Sequence, residues 1–142
     1  MSAFLTVFPK VVRAVITDVG LVVGESESAT QIVGCKALWD TGAVASVIDR
    51  SFAAKLGFSP VGTGRAYTAQ GFYESSMYLV DVLLPNNIIV KGLRVGDGDF
   101  QGFDMLIGMD VISLGDLHLT NNGNTVFKFA IPPESNKDDQ AL

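Results

Sequence analysis

Asp40 closes the apolar run Ala37-Leu38-Trp39 and is followed at once by Thr41-Gly42-Ala43. Far downstream a second apolar run, Met105-Leu106-Ile107, ends in Gly108. A carboxylate at the end of a strand and the start of a tight turn is a carboxylate held by rigid backbone. Two carboxyls brought within ~3 Å can hydrolyse an amide without metal or covalent intermediate. Like charges that close cannot both ionise, so one stays protonated. The ionised member takes a proton from water, and the protonated one polarises the carbonyl oxygen. The chain carries one such element and no internal repeat, so it supplies one carboxyl where the chemistry needs two. The inference is a homodimer whose two Asp40 residues meet on a two-fold axis.

The neighbours of Asp40 serve the same need. Gly42 permits a close backbone approach that a Cβ would crowd. Thr41 carries a hydroxyl able to bond across the axis, and Leu38 and Trp39 anchor the turn to its strand. By itself Asp-Thr-Gly is ordinary turn chemistry. With apolar residues before it, Ala43 after it and Leu106-Ile107-Gly108-Met109-Asp110 downstream, the chain resembles the retropepsin-like aspartic proteases, over roughly residues 11–133. The resemblance implies that Asp40 is catalytic, with Thr41, Gly42 and Ala43 supporting its loop. It implies that Leu106, Ile107 and Gly108 thread behind that loop. It also implies a flap in the segment 66–76, with Ala69, Gln70, Gly71 and Phe72 over an extended polypeptide substrate. No cofactor and no metal are implied.

Three departures separate the chain from the retroviral enzymes. The flap lacks a Gly-rich tip. Asp110 follows Gly108-Met109, where those enzymes place Arg directly after the Gly; Gly-x-Asp is similar to the bacterial and cellular branch. The retroviral dimer interleaves its chain termini, whereas the tail here is polar, so the dimer is expected to close differently. Ala43 stands where pepsin-like enzymes have Ser, and one hydroxyl fewer suggests a working range nearer weakly acidic to neutral pH. Two rivals remain: a non-catalytic peptide-binding or dimerisation module on the same fold, and an enzyme that processes only its own chain.

The elements that must position these residues read as short strands with turn punctuation. Residues 13–23 and Thr30–Trp39 form a hairpin across the polar turn 25–28. Asp49 is placed to N-cap a helix over Arg50–Leu56 that Gly57 stops, with Phe52, Ala53 and Leu56 facing the core. Residues 66–70 and 72–82 pair across a tip near Gln70-Gly71. Pro85-Asn86-Asn87 turns into a strand at 88–95, and Gly96-Asp97-Gly98-Asp99 reads as a loop. Residues 103–107 form a strand, 111–114 a helical turn closed by Gly115, and 117–131 a final hairpin. The expected class is all-β: a small closed β-barrel-like acid protease domain with one or two short helices, spanning 1–133 and followed by a polar tail at 134–142.

Composition narrows the alternatives. Hydrophobic residues make up 48% of the 142, enough for one core. The net charge is −5 and the ten Lys and Arg are scattered, which argues against a nucleic-acid partner. No apolar run approaches the ~20 residues of a membrane helix. The apolar stretch at 3–8 precedes Lys10 and Arg13, the reverse of a signal peptide. The single cysteine, Cys35, excludes an internal disulfide and suits a reducing cytoplasm.

Other residues invite functional readings and have plainer ones. Cys35 and His118 suggest a thiol protease pair, but Cys35 alternates with Val33 and Ala37 as a strand residue does, and His118 should point outward. Asp97, Asp99 and Asp104 mimic a calcium loop without its closing Glu, and read as turn acids. Trp39 should pack in the core rather than line a cleft. Asp110 reads as a helix N-cap. Tyr67, Phe72, Tyr73 and Tyr78 divide between flap contacts and cross-strand pairs.

Overall fold

In a computed structural model the described residues are 2–25 and 30–134. The turn expected at 26–28 and the tail beyond 134 lie outside them. Among the described residues ten strands and two short helices follow one another: β1 Ser2–Val7, β2 Ile16–Glu25, β3 Thr30–Trp39, β4 Val47–Asp49, α1 Arg50–Leu56, β5 Gly62–Thr68, β6 Gly71–Leu84, β7 Ile88–Gly98, β8 Met105–Ile107, α2 Met109–Ile112, β9 Asp116–Thr120 and β10 Val126–Ile131. The all-β expectation holds.

The larger sheet runs β2-β3-β8-β4-β7-β6-β5, and a further β2–β6 pairing closes six of these strands into a barrel. Closure leaves those six strands without a free edge in the ring. The seventh, β5, projects beyond it with the distal half of β6 as a hairpin, from Gly62↔Met77 out to Thr68↔Gly71. A smaller sheet, β1-β10-β9, packs against the barrel. Its inner face carries Phe4, Phe127 and Phe129, and Trp39 from β3 inserts among them, with ring centroids 5.0 Å from Phe127 and 5.1 Å from Phe129. The tilted rings suit the aromatic quadrupoles. Trp39 Nε1 donates to Thr17 Oγ1 at 2.9 Å, so its one polar atom is satisfied in the core.

Local chemistry explains most element ends. Asp49 accepts from the Phe52 N–H at 3.1 Å, capping α1, and Gly57 ends it at φ 72° with its N–H returned to Ala53 and Ala54. Ala53 is buried while Phe52 and Leu56 pack against the core. The turn between β6 and β7 puts Asn86 and Asn87 at φ 64° and 58°, the left-handed geometry that Asn tolerates and a tight hairpin turn requires. The expected strand at 13–23 begins instead at Ile16, and the one at 103–107 at Met105.

One stretch overturns the expectation. Gly96-Asp97-Gly98 is not a loop but the end of β7, paired in parallel with Val47, Ile48 and Asp49 of β4. Nor is Asp97 a turn acid. It is 4% exposed, and its backbone N–H donates to Ser75 Oγ at 2.8 Å. Its carboxylate accepts from the Ser76 N–H at 3.2 Å and faces Arg50 Nε at 3.5 Å. The glycines are there because side chains of the neighbouring β6 lie over this strand end: a Cβ on Gly96 would lie 2.8 Å from Ser75 Oγ. Glycine and aspartate suggested punctuation, but here they accommodate the base of the projecting hairpin. The adjacent Asp97, and after it Asp99, hold the Arg50 guanidinium in its charged form.

Phe127, fully buried beside Trp39, ties the small sheet to the strand that delivers Asp40. Phe127→Ala should cost about 3–5 kcal/mol in urea unfolding; a loss below about 1 kcal/mol would show that the two sheets do not depend on this contact.

Candidate active site

Asp40 is positioned by three strands, the long β3 and the short β4 and β8. β8 lies between β3 and β4, parallel to β3 (Leu38↔Leu106, Trp39↔Ile107) and antiparallel to β4 (Val47↔Leu106). The ladder with β3 continues one step into the turn, where the Asp40 N–H donates to Ile107 O at 2.9 Å. Gly42 N–H donates to Asp40 Oδ1 at 2.8 Å, and Ala43 N–H donates to Asp40 O at 3.2 Å. Carboxylate and backbone are thus both held within one turn. A Cβ on Gly42 would stand 3.1 Å from that same Oδ1, so glycine allows the bond its room.

Leu106, Ile107 and Gly108 do run behind this turn. Met109 N–H donates to Ala43 O at 2.8 Å. A Cβ on Gly108 would fall 2.9 Å from Ala43 O and from Ala45 C and O, closer than packing tolerates. The structure therefore brings together Asp40, Thr41, Gly42 and Ala43 with Leu106, Ile107 and Gly108. Ala69, Gln70, Gly71 and Phe72 lie apart, at the exposed end of the β5–β6 hairpin. There Phe72 meets Tyr67 at 6.0 Å between centroids, and Arg65 stands 4.5 Å over its ring. Tyr73 and Tyr78 are instead structural. Tyr73 Oη donates to Asp97 O at 3.2 Å, and Tyr78 is buried.

A hollow of about 190 Å³ opens beside Asp40 and Thr41, walled by Val15, Trp39, Leu117, Leu119 and Phe127. Trp39 therefore packs in the core, as expected, and also floors this hollow. Leu117 and Leu119 were not among the expected site residues; their periodicity marked them only as strand positions.

A second pair missed in the sequence is Ser46 with Asp110. Asp110 does not cap α2: the N-cap is Gly108, and Asp110 sits within the first turn of Met109–Ile112, two residues earlier than the helical turn expected. Its carboxylate instead takes the Ser46 hydroxyl at 2.7 Å and the Ser46 N–H at 2.9 Å. Ser46 Oγ in turn accepts from the Gly108 N–H at 3.0 Å. The clasp locks the strand leaving the Asp40 turn to the Gly108 loop. Gly-x-Asp was the available signal; its partner, buried Ser46, gave none in sequence.

Burial pushes the Cys35 thiol up to about 12, with the charges of Asp104 and Asp18 adding to it. It stays protonated at neutral pH, and His118 lies exposed on β9. That chemistry does not suit a thiol nucleophile. Among the described residues no group of three or more His, Cys, Asp and Glu could hold a metal ion, and no helix is long and apolar enough to cross a membrane.

The family model described as aspartyl protease matches residues 30–111, more than half of the chain and the whole stretch from β3 into α2. The chain belongs to the aspartyl protease family. Its fold is retropepsin-like. It is similar to a retropepsin-like aspartic protease from Rickettsia conorii, with a TM-score of 0.60 at 16% identity over 92% of this chain and 94% of that one. It also resembles EIAV protease complexed with the inhibitor HBY-793, with a TM-score of 0.55 at 18% identity over 71% and 86% of the two chains. No curated protein matches significantly.

The Ser46–Asp110 clasp is testable by a double-mutant cycle in urea. Asp110→Ala should cost about 1–3 kcal/mol, because it strands two buried Ser46 donors. Ser46→Ala made on top of it should cost much less than alone, giving a coupling of at least about 0.5 kcal/mol. Additive losses would mean that the two residues act independently.

Proposed function

We propose that the chain is an aspartic endopeptidase that works as a homodimer, with the catalytic pair formed by Asp40 of each subunit. The observation that carries this reading is the restraint on Asp40: its N–H on Ile107 O, its Oδ1 on the Gly42 N–H, and the Gly108 loop packed against the same turn. A carboxylate on a merely polar turn needs none of this. A carboxyl that must meet its twin does, because misplacement by ~1 Å costs orders of magnitude in rate.

In the reaction, a water oxygen adds to the scissile carbonyl carbon. One water proton passes to the ionised carboxyl, while the protonated carboxyl gives its proton to the carbonyl oxygen. The tetrahedral diol collapses as the C–N bond breaks. The nitrogen leaves with a proton from the pair, a diol proton restores the pair, and the products are an acid and an amine. Thr41 and Ala43 hold the turn, and Leu106, Ile107 and Gly108 brace it from behind. The substrate lies extended, held by main-chain hydrogen bonds and apolar pockets, with Ala69, Gln70, Gly71 and Phe72 closing over it. The hollow lined by Leu117, Leu119 and Val15 is one such pocket. The lone thiol is compatible with a reducing cytoplasm, the location this reading adopts.

The test is digestion of a diverse peptide library across roughly pH 4 to 7, with wild type and Asp40→Asn side by side. Cuts by wild type alone, strongest in that range, are expected, while Asp40→Asn remains dimeric. A folded dimer that cuts nothing would favour the peptide-binding module, and a rate maximum below pH ~3 would contradict the role given to Ala43.

A further inference from the structure

We propose that Asp97 is a positioning residue. Backed by Arg50, it takes over from the β6–β7 ladder where that ladder stops, fixes the direction in which the β5–β6 hairpin leaves the barrel, and so sets how tightly substrate is held. This rests on the reading above, in which the hairpin covers an extended peptide.

β7 changes partners at Gly96. Up to that residue it pairs with β6, the last pair being Met77↔Gly96. From there onward it pairs with β4, through Val47↔Gly96, Ile48↔Asp97 and Asp49↔Gly98. Beyond Met77 the distal half of β6 therefore keeps only β5 as a ladder partner, and β5 pairs with no other strand among the described residues. A two-stranded ribbon has little stability of its own. Its direction is decided where it leaves the sheet.

At that point side-chain bonds replace the ladder. Asp97 N–H donates to Ser75 Oγ at 2.8 Å, and the Ser75 hydroxyl lies 3.2 Å from both Asp97 O and Asp97 Oδ1. Oδ1 also accepts from the Ser76 N–H at 3.2 Å, and Tyr73 Oη donates to Asp97 O at 3.2 Å. Tyr73, Ser75 and Ser76 of one strand thus converge on a single residue of the next. The other carboxylate oxygen, Oδ2, faces Arg50 Nε at 3.5 Å. Arg50 opens α1 directly after β4, the strand that pairs with Asp97. The charge that offsets this buried carboxylate therefore comes from the closed barrel and not from the hairpin.

The length of the hairpin makes its root matter. From Ser76 to Gly71 the strand covers about 17 Å. A tilt of about 10° at the root would move the tip by about 3 Å, enough to break a main-chain hydrogen bond. In the reading above Ala69, Gln70, Gly71 and Phe72 hold the peptide, not the reacting atoms. Their misplacement weakens ground state and transition state alike, which raises KM and spares kcat.

Steady-state kinetics on a peptide that the wild type cuts, with hydrogen exchange on the same proteins, tests the assignment. Arg50→Ala should raise KM about tenfold and leave kcat within about twofold. Arg50→Lys, which restores a cation, should recover most of the KM, and Asp97→Asn should behave as Arg50→Ala does. Lys55→Ala, in the last turn of the same helix, should change neither constant. In Arg50→Ala the amides of Gly62–Thr68 and 71–76 should exchange about tenfold faster, with those of Met105–Ile107 unaltered. An unchanged KM, a fall in kcat alone, or hairpin exchange that does not quicken would overturn the proposal. So would a loss of stability with neither effect, which would leave Asp97 a residue of the fold alone. A wild type that cuts no peptide would remove the proteolytic reading, and hairpin exchange would then decide by itself whether Asp97 positions the hairpin.

Discussion

The backbone bond from the Asp40 N–H to Ile107 O is the contact on which the site depends. It extends the β3–β8 ladder one residue past the end of the strand. The Asp40 turn is thereby an outgrowth of a sheet rather than a loop left to find its own place. Everything near it serves that register. Gly108 is glycine because Ala43 and Ala45 lie where a Cβ would go, and Asp110 reaches back to Ser46 so that the strand leaving the turn cannot drift. A carboxyl fixed in this way would lose little freedom if a second one were brought to meet it, which is the physical content of preorganisation.

The same economy governs the rest of the barrel. Six strands close on themselves, so the hairpin β5–β6 is free to project, and its base is secured by buried Asp97 between Ser75, Ser76 and Arg50. The hairpin thus has a buried, hydrogen-bonded root and an exposed aromatic tip. The small sheet adds the remaining wall. Its aromatic face grips Trp39, the residue directly before Asp40, so packing energy in the core is coupled to the position of the acid.

Much of this was legible in the residues. The apolar run into Asp40, the Asp49 cap and Gly57 stop of α1, and the Asn turn at 86–87 all announce themselves through local rules that tertiary context did not override. What failed shares one cause. Gly96-Asp97-Gly98 looked like a loop because glycine near aspartate usually turns a chain; pairing with β4, a long-range fact, makes the same residues a strand. Asp110 looked like a cap because it begins a short helix. Its true partner lies 64 positions earlier in the chain, and no periodicity reports that. Leu117 and Leu119 came beside Asp40 only when the small sheet was placed against its turn.

The central claim is that one site is built from two chains. Two copies joined in a single polypeptide, with Asp40→Asn in one copy only, test it most directly. If both carboxyls act on one water, the half-substituted tandem should lose at least about a hundredfold in rate, as the doubly substituted one does. If it keeps half the activity of the unsubstituted tandem, each Asp40 works alone and the shared site is wrong.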